Sequence, residues 1–264
     1  MHWETVTSKE NKLVRHISRL ASDAKYRRAC GEYVCEGEKL LWEATRDSVQ
    51  LQAVLWEETA LKKAREESPE KMEYLLSLGC RCVSVPANVF GAASFLETFS
   101  GPLFVCKIEE RAMPETGHCF LALDNVQDPG NVGTVIRTAD AFSIDGVWLL
   151  EGTADPYQPK AARAAMGSIF RVPVYRTTAD VFFAQMRALG MDVLAAALTE
   201  EAESVCSAML TNCAVMIGNE GRGVRPENIA QCGKSVVIPM SGGAESLNAA
   251  VAAAIMMWEM SKCR

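Results

Sequence analysis

Apolar residues recur along this chain with two different periods, and the places where the period changes outline its elements. Thr7-Ser8-Lys9-Glu10 fits a capping box, so a helix is expected to follow. Leu13, Ile17 and Leu20 form its apolar stripe, with Lys12, Arg15 and Arg19 on other faces. Short strands are expected at Tyr33–Cys35, Leu51–Trp56, Arg81–Val85 and Leu103–Ile108, separated by helical patterns at Glu38–Thr45 and, long and charged, at Glu58–Leu78. This amounts to a small α/β unit of roughly a hundred residues, an ordinary domain size. Glu109 to His118 is polar, carries Pro and Gly and has no apolar period, which reads as a linker.

Beyond the linker, strand and helix patterns alternate. Strands are expected at Cys119–Asp124, Gly146–Leu150, Asp192–Leu198, Cys213–Gly218 and Ser235–Pro239, one helix from Asn131 and a last helix from about Ser246 to Met260. Near-continuous apolar strands separated by helices predict a parallel sheet covered on both faces. No internal repeat or low-complexity segment interrupts the pattern.

Composition changes this picture little. An apolar share of 49% with 23% charged residues is ordinary globular composition and argues against disorder. The longest apolar run, Leu247 to Trp258, is too short to span a bilayer, and Met1-His2-Trp3-Glu4 is no apolar leader, so a cytoplasmic location and no membrane are expected. The ten cysteines are scattered, several inside strand-like runs, as reduced buried thiols would be. With no C-x-x-C pair, and only His2, His16 and His118 to join them, no metal site is expected.

Charge adds more. The net charge of −6 does not fit a generic nucleic-acid coat. Yet Ser8 to Arg28 carries seven basic residues (Lys9, Lys12, Arg15, Arg19, Lys25, Arg27 and Arg28) against Glu10 and Asp23. A local basic footprint sits in an otherwise acidic chain.

Three segments of the second half each place glycines and polar residues just after a strand, the edge where parallel sheets bind ligands. In Leu121 to Phe142, Pro129 and Gly130 turn the chain, Asn131 stands where a helix cap belongs, Val132, Val135, Ile136 and Ala139 make a buried stripe, and Arg137 points away from it. Ala214 to Val224 spaces its glycines G-x-x-G-x-G, with Glu220 as the only carboxylate of the loop. Val237 to Val251 ends a strand at Pro239, continues through Ser-Gly-Gly-Ala-Glu, and offers Ser246 as a cap for a final helix with a core-facing stripe of Leu247, Val251, Ile255 and Trp258. Taken singly, these are a capping asparagine and a solvated arginine, a tight turn, and a capping serine. Asn248 in the first helical turn fits that plain account least, being a poor helix former.

In this order, N-V-G-x-x-x-R, G-N-E-G-x-G and I-P-M with E-S-L-N-A-A-V-A-A-A resemble the motif set of the SpoU (TrmH-like) branch of the SPOUT methyltransferases. Lys160 to Pro173 is similar to the family's K-x-x-R-x-S-x-G segment, except that Ala165 replaces the serine, so any hydroxyl role at that position is absent. The resemblance covers essentially residues 119–264. Upstream, V-T-S-K-E-N-K-L-V-R, Y-R-R and G-E-Y-V-C-E-G-E-K-L-L resemble the ribosomal-protein-like substrate-binding domain that precedes many members.

The resemblance implies an RNA-binding domain at residues 1–108, a linker at 109–118, and a catalytic domain at 119–264 whose parallel sheet is threaded into a trefoil knot. It implies S-adenosylmethionine as cofactor, held in a bent form at Gly218, Ile238, Met240 and Leu247, with Thr199 a weaker addition, and a homodimer with the active site close to the subunit interface. It assigns Asn131, Arg137, Glu220, Ser246 and Asn248 to methyl transfer onto a ribose 2′-hydroxyl of RNA, ribosomal RNA ahead of transfer RNA. RNA would be gripped by Lys9, Lys12, Arg15, Arg19, Arg27 and Arg28. A base role has been proposed for the family's arginine, but a guanidinium keeps its proton under nearly all protein conditions. A fixed cation favouring the developing alkoxide is the easier role for Arg137. A non-catalytic RNA-binding member would have no chemical need for this set, and a nucleotide-dependent oxidoreductase is disfavoured because neither half carries G-x-G-x-x-G.

Overall fold

A computed structural model describes residues 3–96, 101–243 and 246–263. His2, and Ala244 and Glu245 of the third motif, lie outside the described residues. By its contacts the chain divides into two compact units, one of residues up to Glu109 with Tyr157–Arg163, the other of Glu110–Pro156 with the residues from Ala164 onward. Among the described residues no helix is long and apolar enough to cross a membrane.

The first unit contains β1 (Glu4–Thr5), α1 (Lys12–Ser22), α2 (Ala24–Cys30), β2 (Glu32–Glu36), α3 (Glu38–Arg46), β3 (Leu51–Glu57), α4 (Glu58–Glu67), α5 (Pro69–Ser77), β4 (Arg81–Val85), α6 (Ala87–Ala93) and β5 (Leu103–Lys107). Its sheet runs β1-β4-β3-β5-β2, with β5 antiparallel to both neighbours and the other pairs parallel. Leu13, Val14, Ile17 and Leu20 of α1 pack into a core with Val34, Leu55, Val83, Phe90 and Val105.

Three local expectations are corrected here. The helix cap is Asn11, whose Oδ1 accepts from the Leu13 amide at 2.9 Å, and not the Thr7–Glu10 box; Ser8 instead closes a turn with the Glu10 amide. The long helix of residues 58–78 is two helices, because Pro69 lacks an N–H and disfavours helical backbone at Ser68. Arg27 is buried: its guanidinium donates to the carbonyls of Leu20 (2.6 Å) and Ala21 (3.3 Å), which the end of α1 leaves without helical partners. It holds α1 to α2 and is withdrawn from the RNA-binding set. Lys9, Lys12, Arg15, Arg19 and Arg28 are exposed.

Residues 109–118 form no helix or strand. After them come β6 (Cys119–Leu123), α7 (Pro129–Ala141), β7 (Gly146–Leu149), α8 (Pro159–Ala165), α9 (Ser168–Arg171), β8 (Val174–Arg176), α10 (Ala179–Ala188), β9 (Asp192–Ala196), β10 (Glu203–Ser204), β11 (Cys213–Ile217), α11 (Pro226–Ile229), β12 (Lys234–Val237) and α12 (Ala249–Lys262). The seven strands form one parallel sheet in the order β10-β12-β9-β11-β6-β7-β8. Phe120, Ala122, Ala214 and Met216 face a core with Phe182, Phe183 and Met186 of α10, while α7 and α12 pack together against the sheet. From β6 the chain builds outward through β7 and β8, then returns to lay β11 and β9 on the other side of β6. That reversal of direction is where open parallel sheets form a crevice beyond the strand ends.

α12 departs from the expected packing. Its buried side chains are Ala249, Ala250, Ala253, Met256, Met257 and Met260, whereas Val251 and Trp258 of the stripe assigned to the core are 48% and 50% exposed. This helix is apolar nearly all round, so the pattern offers two stripes. The sheet takes the one whose alanines and methionines allow close and adaptable contact.

Asp140 of α7 accepts from the Ser168 hydroxyl (2.7 Å) and from Nε and Nη2 of Arg171 (3.0 and 2.7 Å), holding α9 in place. Ala165 is fully buried in α8, and the hydroxyl of this segment that engages a partner is that of Ser168. Burial pushes the Asp140 carboxyl up, but Arg171 and Ser168 outweigh it and hold the group below its ordinary value. The resulting stability is present above the ordinary carboxylate range and is lost as pH falls through the lowered value. The gap in urea midpoint between wild type and Asp140→Asn should therefore narrow from about pH 6 to about pH 3; a constant gap would assign the effect to packing.

Candidate functional site

The loops that follow β9, β11 and β12 meet the start of α12 around a cavity of about 380 Å³, a size usual for small-molecule sites. Leu198 lines it from the first loop, Gly218 to Gly221 and Gly223 from the second, and Ile238 and Met240 from the third, with Ser246, Leu247 and Met256 opposite. Four of the five residues expected to hold the cofactor, Gly218, Ile238, Met240 and Leu247, are thus brought to one cavity. Thr199 does not line it; its neighbours Ala196 to Leu198 do.

The second loop is a closed hairpin. Asn219 and Gly223 exchange both backbone hydrogen bonds, at 3.0 and 2.9 Å, and Gly223 adopts φ +69°, a conformation that glycine accepts without strain. Asn219 staples the turn: its Oδ1 accepts from the amides of Gly221 (3.0 Å) and Arg222 (3.2 Å), and its Nδ2 donates to the Asn125 carbonyl (2.9 Å). Gly218 is needed for close approach, since a Cβ there would collide with the backbone of Gly223 and Val224.

Below the hairpin lies Asp124, a fully buried carboxylate just past β6. It accepts from the Arg225 amide (2.8 Å), Arg225 Nε (2.6 Å) and Asn228 Nδ2 (2.9 Å). Arg225 also reaches Glu151, at 3.5 Å. A buried charge persists only where it is paired and hydrogen-bonded in this way. The pair ties the loop after β11 to the end of β6. Asp124, Asn219, Arg225 and Asn228 were not singled out from the sequence. The available signal was the Asp closing the apolar run Phe120–Leu123.

A polar chain runs along the cavity rim. Asn131 Nδ2 donates to Glu220 Oε1 (2.8 Å), Asn248 Nδ2 donates to Asn131 Oδ1 (3.1 Å), and Asn248 Oδ1 accepts from the amides of Ala250 and Val251 (2.9 and 3.3 Å). Two capping assignments are corrected by this arrangement. Asp128, not Asn131, caps α7 by accepting from the Asn131 amide, which leaves the Asn131 side chain free for Glu220. Asn248, not Ser246, caps α12, which accounts for an asparagine at a helix start. Ser246 lines the cavity instead.

Arg137 stands apart. It is exposed on α7, just over one and a half turns beyond Asn131, does not line the cavity, and makes no side-chain hydrogen bond or ion pair among the described residues. The structure joins Asn131, Glu220 and Asn248 directly, brings Ser246 to the same cavity, and leaves Arg137 outside this group.

One wall of the cavity is apolar, the hairpin offers backbone polar groups, and among the described residues the one ionisable side chain lining the cavity is the acidic Glu220. At the reversal point of the parallel sheet the cavity is thus rimmed by the chain Glu220–Asn131–Asn248. Residues 118–258 match the SpoU rRNA Methylase family, and the chain belongs to it.

Three relatives match over nearly the whole chain. The 23S rRNA (guanosine(2553)-2′-O)-methyltransferase RlmP of Bacillus subtilis is 33% identical over 97% of this chain and 98% of its own. The AdoMet-bound rRNA methyltransferase of Sinorhizobium meliloti is 28% identical, with a TM-score of 0.85 over 98% of this chain and 97% of that one. The SpoU methyltransferase AviRb of Streptomyces viridochromogenes, at 24% identity and TM-score 0.83, shares the fold. The protein is accordingly an S-adenosylmethionine-dependent RNA methyltransferase.

Proposed function

We propose that this protein transfers the methyl group of S-adenosylmethionine to a ribose 2′-hydroxyl of large-subunit ribosomal RNA. The observation that carries the reading is the cavity between the loops after β9, β11 and β12, with the Glu220–Asn131–Asn248 chain at its rim. The 23S rRNA named for the Bacillus subtilis relative supports the choice of RNA. When bound, S-adenosylmethionine would supply an electrophilic methyl on its sulfonium sulfur, with the neutral thioether as leaving group and the hydroxyl proton passing to water.

Gly218, Ile238, Met240 and Leu247 would hold the cofactor, in a cavity to which Glu220 contributes a carboxylate that favours a cation. Asn131, fixed between Glu220 and Asn248, orients the ribose, and Ser246 holds the substrate oxygen. A hydroxyl is a poor nucleophile, so alignment and charge stabilisation carry the step.

A second copy of this chain completes the site in this reading. Beside Asn131 and Asn248 runs an open apolar groove with Phe142, Val251, Ile255 and Trp258. An apolar stripe of this kind is what a subunit contact covers. Arg137, exposed on α7 and without an ion pair among the described residues, reaches RNA and the reacting oxygen near that interface. The exposed Lys9, Lys12, Arg15, Arg19 and Arg28 of the first unit supply salt-sensitive phosphate contacts, and the protein works in the cytoplasm.

The reading predicts that purified protein labels large-subunit RNA with methyl from tritiated cofactor and leaves DNA of the same sequence unlabelled, because DNA lacks the accepting hydroxyl. Equal labelling of both polymers overturns it.

A further inference from the structure

Among the described residues, those that line the cavity include no lysine or arginine. A ribose cannot enter such a site alone, because it brings its flanking phosphates to the rim. Each phosphate that is desolvated there without a positive partner opposes binding. A cation at the rim, outside the cavity wall, is therefore a requirement of the proposed chemistry.

Arg222 occupies that position. It lies in the hairpin between Gly221 and Gly223, both of which line the cavity, and it is exposed. Its amide is fixed to Asn219 Oδ1 at 3.2 Å, and the turn around it is closed by the Asn219–Gly223 exchange. Its guanidinium makes no hydrogen bond or ion pair among the described residues. Arg225, three residues on, cannot serve, since Asp124 and Glu151 hold it. The backbone at Arg222 is already fixed, so binding has only the side chain to order, and a guanidinium matches a phosphate with two parallel N–H donors.

We propose that Arg222 anchors the RNA phosphate flanking the target ribose. The assignment rests on the reading of the cavity as the methyl-transfer site. It goes further by dividing the rim, with Glu220 committed to Asn131 and Arg222 committed to substrate. The backbone bond at Arg222 survives any substitution except proline, so variants should fold.

The test uses the full-length protein, large-subunit RNA from cells lacking it, filter binding across a salt series, and calorimetry with S-adenosylmethionine. Arg222→Gln is expected to weaken RNA binding about tenfold at low salt and to flatten the slope of log affinity against log salt by roughly 0.7, the value for one phosphate on a single strand. Arg222→Lys should keep the slope, and cofactor affinity should be unchanged in both. An unchanged slope in Arg222→Gln overturns the proposal. So does a loss of cofactor affinity with RNA binding intact, which would give the guanidinium to the cofactor. If the slope flattens but wild type transfers no methyl to RNA, the anchor stands and the proposed reaction fails.

Discussion

Replacing Arg137 by alanine is expected to lower turnover by a factor on the order of 10²–10³, the loss typical of removing one donor that stabilises a developing negative charge. The side chain is exposed on α7 and bonded to nothing in its own chain among the described residues, so its removal takes away no packing. Surface changes of that kind alter stability by no more than about 0.5 kcal/mol. Because Arg137 does not line the cavity, cofactor affinity should hold. Arg137→Lys should recover only part of the rate, since an ammonium cannot reproduce the planar fork. Single-turnover methyl transfer at saturating RNA and cofactor, beside calorimetry with cofactor alone, separates these effects. A wild-type rate in Arg137→Ala would make the residue an ordinary surface charge. If Arg137 acts across a subunit contact, mixing the Arg137→Ala and Asn131→Ala proteins should restore part of the activity that each lacks, because some mixed dimers then hold one intact site.

The second large effect is expected at Gly218. A methyl group there overlaps the backbone of Gly223 and Val224, and backbone atoms cannot turn aside as a flexible side chain would. The hairpin must open, breaking the Asn219–Gly223 exchange and carrying Glu220 away from Asn131. Overpacking of this kind costs about 1–3 kcal/mol in stability. The damage falls on the cavity wall, so S-adenosylmethionine affinity in Gly218→Ala should drop by about tenfold or more, 1.4 kcal/mol being a factor of ten. Gly242, in the next loop, has open space where its Cβ would stand and serves as the control. Calorimetry and thermal unfolding of the two variants decide it: equal cofactor affinity in Gly218→Ala and Gly242→Ala would mean that the hairpin is looser than its bonds indicate.

Much of the site was legible in the residues because its parts are local. The glycines of Gly218–Gly223, the asparagine after Pro129-Gly130 and the strand–loop–helix run ending in α12 each occupy a short stretch, and short stretches are what pattern reading resolves. The same reading misassigned every cap it named. Asp128, Asn131, Ser246 and Asn248 all carry cap-competent oxygens, and which one turns toward the helix depends on what the others meet across the fold. Arg27 was misread for a related reason. It belongs to a basic run, but the turn at Asp23 folds α2 back and aims its guanidinium at the end of α1.

Alternation of apolar strands with helices was enough, by itself, to determine a parallel α/β sheet after residue 118, because a strand buried on both faces must be apolar throughout. The motif order was enough to determine the family. Only the tertiary structure decided which stripe of α12 meets the sheet, since both are apolar and the choice lies in how closely alanine and methionine let the helix approach. Only it brought Asn131, Glu220 and Asn248 together, side chains 89 and 117 residues apart, because the order β9-β11-β6 sets the ends of distant strands side by side. And only it showed Asp124 as the buried charge beneath the loops, a role set by partners 101 and 104 residues away in the chain.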